Sequence, residues 1–170
     1  TADDRPAEAR AFEQPALVTG TASWSSESNV INRTLGMSLT PAGDVDGDGI
    51  SDFVAIGDVG SSYYSALYLY LGSESGPVLA PGYPVVDLPP TANVAAAGDV
   101  NGDSRSDIVL FWTQNGLARV YNGAPGGLDL VNFTSLSSFG TNLWDFNVAP
   151  AGDVNGDGFG DIIFGMPSEA

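Results

Sequence analysis

The chain has 170 residues and a net charge of −16, and it contains no cysteine, histidine or lysine, since its five basic residues are all arginine. This composition excludes a thiol nucleophile, a Ser-His-Asp triad, a Schiff-base lysine, a P-loop and a histidine-ligated zinc site, so acid–base catalysis would depend on carboxylates and tyrosines, as in glycosidases. The acidity makes nucleic acid and anionic membrane surfaces poor partners, and no apolar stretch is long enough to cross a bilayer.

The first residues of the chain are small, charged and aperiodic. Residues 1–12 are therefore predicted to be a flexible lead-in, and residues 13–170 the folded part. Pro15–Thr19 is a candidate short strand, and Asn29–Leu39 contains a strand whose register the irregular pattern does not define. Neither an initiator Met nor a signal peptide is present, which indicates a mature or trimmed piece.

An acidic segment follows, and it occurs three times. Its copies span residues 44–52, 99–107 and 153–161, named here loop 1, loop 2 and loop 3, so they start 55 and then 54 residues apart. A fixed period of this length is the signature of a repeat architecture. Asp-Asn-Gly clusters are also ordinary turn formers, but three copies in the same register weigh against that plainer interpretation.

Each loop places side-chain oxygens at its positions 1, 3, 5 and 9. Oxygens crowded in this way repel one another unless a cation lies among them, and calcium, a hard ion that accepts roughly six to eight oxygen ligands, suits such a loop. The backbone carbonyl at position 7 would join the set, which explains why that side chain varies. The candidate ligands, for up to three Ca²⁺ ions, are Asp44, Asp46, Asp48, Ile50 and Asp52 in loop 1, Asp99, Asn101, Asp103, Arg105 and Asp107 in loop 2, and Asp153, Asn155, Asp157, Phe159 and Asp161 in loop 3.

The loops do not have the EF-hand pattern. An EF-hand needs a bidentate Glu at position 12 and flanking helices, whereas position 12 here is Ala55, Leu110 or Phe164. These residues belong to short apolar runs rich in β-branched and aromatic side chains. The runs are predicted to be buried strands that leave the loops, namely Phe53–Ile56, Ile108–Trp112 and Ile162–Phe164.

Further strands are predicted between the loops. Ala66–Leu71 alternates, which places its three leucines on one face and Tyr68 and Tyr70 on the other. Packing between sheets is favoured for these tyrosines over stacking on a ligand. Trp24, Trp112 and Trp144 are likewise expected in the core or at an interface between sheets, in preference to lining a binding surface. The other predicted strands are Val85–Leu88, Asn93–Ala96, Leu117–Tyr121, Leu128–Phe133 and Leu143–Val148, with turns or loops at Gly57–Ser65, Gly72–Pro84 and Gln114–Gly116.

The loops and the strands after them carry a family resemblance. Each loop follows the pattern Ala-Gly-Asp-Val-(Asp/Asn)-Gly-Asp-x-x-x-Asp and leads into an apolar strand, and segments 68–76 and 120–128 follow the first two copies. Over residues 35–165 this pattern resembles the FG-GAP/VCBS repeat, the blade of the β-propeller at the head of integrin α chains and of many bacterial surface proteins. The resemblance implies an all-β fold of four-stranded antiparallel blades, with a calcium site in each blade. Loop 2 departs from the other copies at Ser104, where they have glycine, and at Arg105.

The number of blades is limited by the repeat length. A chain of 170 residues supplies about three blades, whereas closed propellers usually have roughly four to eight. Such a chain does not close a propeller alone, and an open array exposes strand edges and apolar blade faces. We expect either part of a longer propeller or a homodimer that completes one.

The resemblance implies a non-catalytic, calcium-binding module for extracellular protein–protein contact or cell-surface adhesion, with structural calcium in each blade. Its partner would be a protein or glycan ligand at the cell surface, and the chain would be secreted. Three bound divalent ions would change the net charge from −16 to −10. The alternatives are a carbohydrate-binding propeller and a non-catalytic part of a secreted hydrolase. Catalysis by carboxylates outside the loops lacks a motif, since the available acids include only scattered residues such as Asp58, Asp87, Asp129 and Asp145.

Overall fold

The computed structural model of the chain describes residues 9–11, 24–26, 34–58, 64–88, 92–112, 116–136 and 147–165. These residues form thirteen β-strands and no helix, so the all-β prediction is confirmed. The predicted strand Pro15–Thr19 lies outside the described residues. The strands are β1 (Ala9–Ala11), β2 (Trp24–Ser26), β3 (Leu35–Gly43), β4 (Asp52–Asp58), β5 (Ser65–Leu71), β6 (Val78–Leu79), β7 (Val85–Leu88), β8 (Ala92–Gly98), β9 (Asp107–Trp112), β10 (Leu117–Ala124), β11 (Gly127–Leu136), β12 (Asn147–Gly152) and β13 (Asp161–Gly165).

The strands form antiparallel sheets that follow one another along the chain. Sheet 1 has the order β3-β4-β5-β6, with β7 also paired to β5, and sheet 2 has the order β8-β9-β10-β11. Sheet 3 consists of β12 and β13, and β1 pairs with β2 in a separate two-stranded sheet. Strands β3 and β12 both contact β8, so the first strands of the three sheets adjoin one another. Successive four-stranded meanders arranged in this way are partial propeller blades, as predicted.

The outer position of sheet 1 is divided between two strands. Strand β6 pairs with Tyr70 and Leu71, and β7 pairs with Ser65 and Leu67. In sheet 2 a single strand, β11, occupies this position, with a shift of register in β10 between Tyr121 and Gly123. The sequence predicted β7 with its observed bounds but assigned β6 to a loop, because a two-residue strand carries too little periodicity to be detected.

The strands that leave the loops begin one residue earlier than predicted. Each starts at the aspartate of loop position 9, which is paired across the hairpin with a glycine: Asp52 with Gly43, Asp107 with Gly98 and Asp161 with Gly152. A β-bulge precedes each of these pairs. The predicted turn Gly57–Ser65 is shorter at both ends, since Asp58 and Ser65 are themselves a cross-strand pair.

Apolar side chains pack between the sheets. The two faces of β5 are both buried, with Leu67 and Leu69 in the cluster shared by sheets 1 and 2, and Tyr68 and Tyr70 in a cluster on the opposite face. The predicted alternation of β5 is therefore confirmed. Trp112 is buried in the first of these clusters, as expected for a core residue.

The outer faces of sheets 1 and 2 are also packed against neighbouring elements. On sheet 1, Trp24 of β2 makes edge-to-face contacts with Phe53 at 5.7 Å and with Tyr70 at 5.3 Å between ring centroids. On sheet 2, a cluster that includes Val109 and Phe111 packs against apolar residues of sheet 3. Strand β1, which lies within the segment predicted as a lead-in, joins this arrangement through its pairing with β2.

Candidate metal centre

The three loops occupy equivalent places in the fold. Each connects the first two strands of its sheet, β3 to β4, β8 to β9 and β12 to β13. Position 6 has a positive φ in every copy, 89° at Gly49, 68° at Ser104 and 90° at Gly158. Ser104 therefore adopts the left-handed conformation that glycine favours, and loop 2 keeps the backbone path of the other copies despite the substitution.

The aspartate at position 1 organises the backbone of each loop. In loop 1, Oδ1 of Asp44 accepts hydrogen bonds from the N–H groups of Gly47 at 2.7 Å and Asp48 at 3.0 Å, and Oδ2 accepts one from Gly49 at 2.9 Å. Asp99 and Asp153 accept the corresponding three bonds in their own loops. The same frame is thus built three times from the same residue positions.

Positions 3 and 5 are joined to this frame by similar bonds. The side-chain oxygen at position 3 accepts the N–H of position 5, and the carboxylate at position 5 accepts the N–H of position 7. In loops 2 and 3 the amide of the position-3 asparagine also donates to the position-5 carboxylate, at 3.3 Å and 2.9 Å. The side chains at positions 1, 3 and 5 are therefore held together by the loop backbone.

In loop 1 this arrangement brings three carboxylates together. One oxygen of each of Asp44, Asp46 and Asp48 lies within 4.8 Å of the others. In loops 2 and 3 asparagine replaces the aspartate at position 3. This makes the loop less negative but keeps a side-chain oxygen at that position. A group of oxygen donors of this kind fits a hard divalent cation.

The carboxylate at position 9 has a different environment. Asp52 is buried, and its two oxygens accept hydrogen bonds from the N–H groups of Val45 at 2.7 Å and Gly72 at 2.8 Å. Asp107 accepts the equivalent bonds from Val100 and Gly123, both at 2.8 Å. These carboxylates therefore connect the loop to the hairpin that follows it.

Burial raises the pKa of both Asp52 and Asp107, although the backbone hydrogen bonds partly oppose that shift. Sequence reasoning assigned these residues only to the metal and missed their structural role. The signal available in the sequence was a glycine near the end of each third strand, Gly72 just after β5 and Gly123 near the end of β10, because a backbone N–H can approach a buried carboxylate most closely where no side chain intervenes.

The residues at position 7 were predicted to contribute backbone carbonyls, and that remains a prediction. Their side chains have contacts that the sequence did not indicate. Arg105 lies 3.7 Å from the carboxylate of Asp103, and both Arg105 and Phe159 lie against the glycine at position 4 of the preceding loop.

Asp129 is an acid outside the loops whose side chain the structure describes. Asp129 accepts hydrogen bonds from the backbone and side chain of Asn132 and from the backbone of Val131, which lower its pKa. Trp144 and Asp145 lie outside the described residues. The part of the chain that the structure describes contains no helix with the length and hydropathy of a membrane span.

Comparisons with known proteins agree with this geometry. Residues 44–110, which include loops 1 and 2, match the FG-GAP-like repeat. The chain is 30% identical to integrin alpha pat-2 of Caenorhabditis briggsae over 149 residues, an alignment that covers 75% of the chain and 12% of that protein. The match to integrin alpha pat-2 of Caenorhabditis elegans has the same identity and coverage. The chain thus spans about an eighth of the length of these relatives, and it is an FG-GAP-like repeat protein similar to integrin α chains.

Proposed function

We propose that this chain is a calcium-binding segment of a β-propeller that acts in extracellular adhesion or protein–protein contact. The observation that carries the proposal is the repetition of one hydrogen-bonded frame in three loops, each of which presents acidic side chains at the same positions. The relatives are named as integrin α chains, which supports a protein ligand, an extracellular location and a non-catalytic role.

The ligand set of each ion follows from the positions in its loop. Side chains at positions 1, 3 and 5 would hold the cation, with the carbonyl at position 7 and the carboxylate at position 9: Asp44, Asp46, Asp48, Ile50 and Asp52; Asp99, Asn101, Asp103, Arg105 and Asp107; and Asp153, Asn155, Asp157, Phe159 and Asp161. A carboxylate oxygen that already accepts one backbone N–H retains a lone pair, so position 9 can serve both the hairpin and the ion.

Calcium would have a structural role here. The loops bring like charges together, and a divalent cation would offset their repulsion while it fixes the connection between the first two strands of each sheet. Residues 13–170 would form the blades, and residues 1–12 the lead-in. A carbohydrate ligand remains the second candidate, but Tyr68 and Tyr70 are buried in the core and do not favour it.

The test is thermal unfolding in calcium, in magnesium and in chelator, together with calorimetric titration. Calcium is expected to raise the Tm and to bind with a stoichiometry approaching three. Asp153→Ala should remove one site and lower the Tm in calcium, whereas Glu74→Ala, which removes an exposed acid outside the loops, should change neither result. Identical melting curves in calcium and in chelator would contradict the proposal.

We also propose that a second copy of the chain packs beside β13. Asp52 accepts a hydrogen bond from Gly72, just after the third strand of sheet 1, and Asp107 accepts one from Gly123 in the third strand of sheet 2, but no described residue supplies the equivalent bond to Asp161. A groove of about 400 Å³, lined by residues that include Asp161, Phe164 and Asn122, lies beside β13. Ile163 of this strand is 59% exposed.

The mass of the chain in saturating calcium, measured by light scattering, tests this association. We expect a dimer, and we expect Ile163→Lys to shift the equilibrium toward the monomer because it places a charge on the exposed strand. If the unmutated chain remains monomeric at high concentration, the association is refuted and the calcium proposal is unaffected.

A further inference from the structure

Loops 2 and 3 are each hydrogen-bonded to the loop before them. The N–H of Ser106, at position 8 of loop 2, donates to the carbonyl of Asp44 at 2.7 Å, and the N–H of Gly160, at position 8 of loop 3, donates to the carbonyl of Asp99 at 2.6 Å. The acceptors are the position-1 residues, whose carboxylates organise loops 1 and 2. The same backbone bond therefore links the frames of successive loops.

A side-chain contact accompanies each bond. A Cβ placed on Gly47 would lie 3.1 Å from Nε of Arg105, and a Cβ placed on Gly102 would lie 2.6 Å from the ring of Phe159. Gly47 and Gly102 occupy position 4, where the backbone N–H is bonded to the carboxylate at position 1. The position-7 side chain of one loop thus packs directly on the frame of the preceding loop.

Arg105 connects candidate ligand residues of two loops. Its Nε donates to the carbonyl of Asp46 in loop 1 at 3.4 Å, and its guanidinium lies 3.7 Å from the carboxylate of Asp103 in loop 2. Phe159, at the same position of loop 3, carries no charge. The contact between loops 1 and 2 is therefore both a packing contact and an electrostatic one.

We infer that divalent-ion binding by loops 1 and 2 is positively coupled through Arg105 and the bond between Ser106 and Asp44. The inference rests on the calcium function proposed above. An ion in loop 1 would fix the carbonyls of Asp44 and Asp46 in the positions that loop 2 uses, so that less conformational entropy remains to be lost when loop 2 binds its own ion.

Electrostatic repulsion between the two ions does not cancel this effect. Loop 1 carries four carboxylates, and loop 2 carries three carboxylates together with Arg105, so with a divalent ion bound loop 1 has a charge of −2 and loop 2 is neutral, and neither occupied loop is positively charged. By linkage, the factor by which loop 1 strengthens binding at loop 2 must equal the factor in the reverse direction.

The experiment is a calcium titration of the ¹⁵N-labelled chain, in which the amides of Gly47, Gly102 and Gly156 report loops 1, 2 and 3. The variant Asp46→Ala/Asp48→Ala removes two candidate ligands from loop 1 but keeps Asp44 and both backbone carbonyls. We expect it to raise the calcium midpoint reported by Gly102 by about fivefold or more, the lower end of typical allosteric coupling. The milder variant Asp48→Asn should shift the midpoint in the same direction.

The role of Arg105 is tested in a double-mutant cycle. In the Arg105→Met background, the effect of the loop 1 variants on the Gly102 midpoint should fall by at least half, whereas Arg5→Met, which makes the same change of net charge, should leave the effect intact. A Gly102 midpoint that is unchanged by the loop 1 variants would overturn the coupling while calcium binding stands. An undiminished effect in Arg105→Met would overturn the role of Arg105. If calcium moves none of the three amides, the proposed function itself fails.

Discussion

The aspartates of one loop differ in what their carboxylates contact. Asp107 is fully buried and accepts two backbone hydrogen bonds, one from Val100 in its own loop and one from Gly123 in β10. Asp103 is exposed, and the backbone hydrogen bond that it accepts comes from Arg105 in the same loop. Both were predicted as calcium ligands from their spacing. Their environments imply that one also holds the fold together in the absence of metal, since a buried N–H without an acceptor is costly.

This difference predicts unequal effects of truncation at the two positions. In chelator, Asp107→Ala should lower the free energy of unfolding by about 2–4 kcal/mol because it removes the acceptor of two N–H groups in or near the core. Asp103→Ala should have little effect in chelator but should weaken calcium binding. Urea unfolding of both variants with and without calcium measures the two effects. Equal loss of stability in chelator would show that Asp107 has no special structural role.

At the scale of the elements, the hairpin β9–β10 is held close to two loops. The end of β10 approaches so closely that a Cβ on Gly123 would lie 2.5 Å from the carbonyl oxygen of Val45 and 2.7 Å from that of Ser106. The register shift between Tyr121 and Gly123 brings this glycine to Asp107. A bulge and a glycine together therefore determine how the third strand of sheet 2 reaches loops 1 and 2.

Gly123→Ala should for this reason destabilise the chain by about 1–3 kcal/mol, because the added methyl group meets backbone atoms that cannot move independently. Gly165→Ala is the matched control, since a Cβ there meets nothing within 4 Å. Thermal and urea unfolding provide the comparison. If Gly123→Ala were as stable as Gly165→Ala, the close approach of β10 to the loops would be contradicted.

At the scale of the whole molecule, charge is the dominant property. The net charge is −16, and ten of the 21 acidic residues lie in the three loops. A large net charge destabilises a compact chain because the like charges repel one another, and salt screens this repulsion.

In chelator, the Tm should therefore rise as sodium chloride is increased from low to physiological ionic strength, where the Debye length is about 8 Å. In saturating calcium the same salt series should change the Tm much less, because bound ions already offset the loop charges. Differential scanning calorimetry across both series measures the difference. A Tm in chelator that does not respond to salt would argue against repulsion as the main destabilising term.

The sequence alone determined the all-β class, the repeat and the location of the three loops, because these follow from local rules. Side-chain alternation in Ala66–Leu71 predicted both faces of β5, and the spacing of acids and glycines in loop 1 predicted where the carboxylates of Asp44, Asp46 and Asp48 converge. Each of these features is contained within a few consecutive residues, where backbone geometry limits the outcomes.

Only the tertiary structure decided how distant segments meet. The bonds from Gly72 and Gly123 to the position-9 carboxylates and the contact of Arg105 with loop 1 join residues that are 20, 16 and 59 positions apart in sequence. No periodicity encodes such contacts, because they depend on how the strands of a sheet pair and on how one sheet packs against the next. In this protein the sequence therefore specifies each loop, and the packing of the sheets determines how the loops are connected.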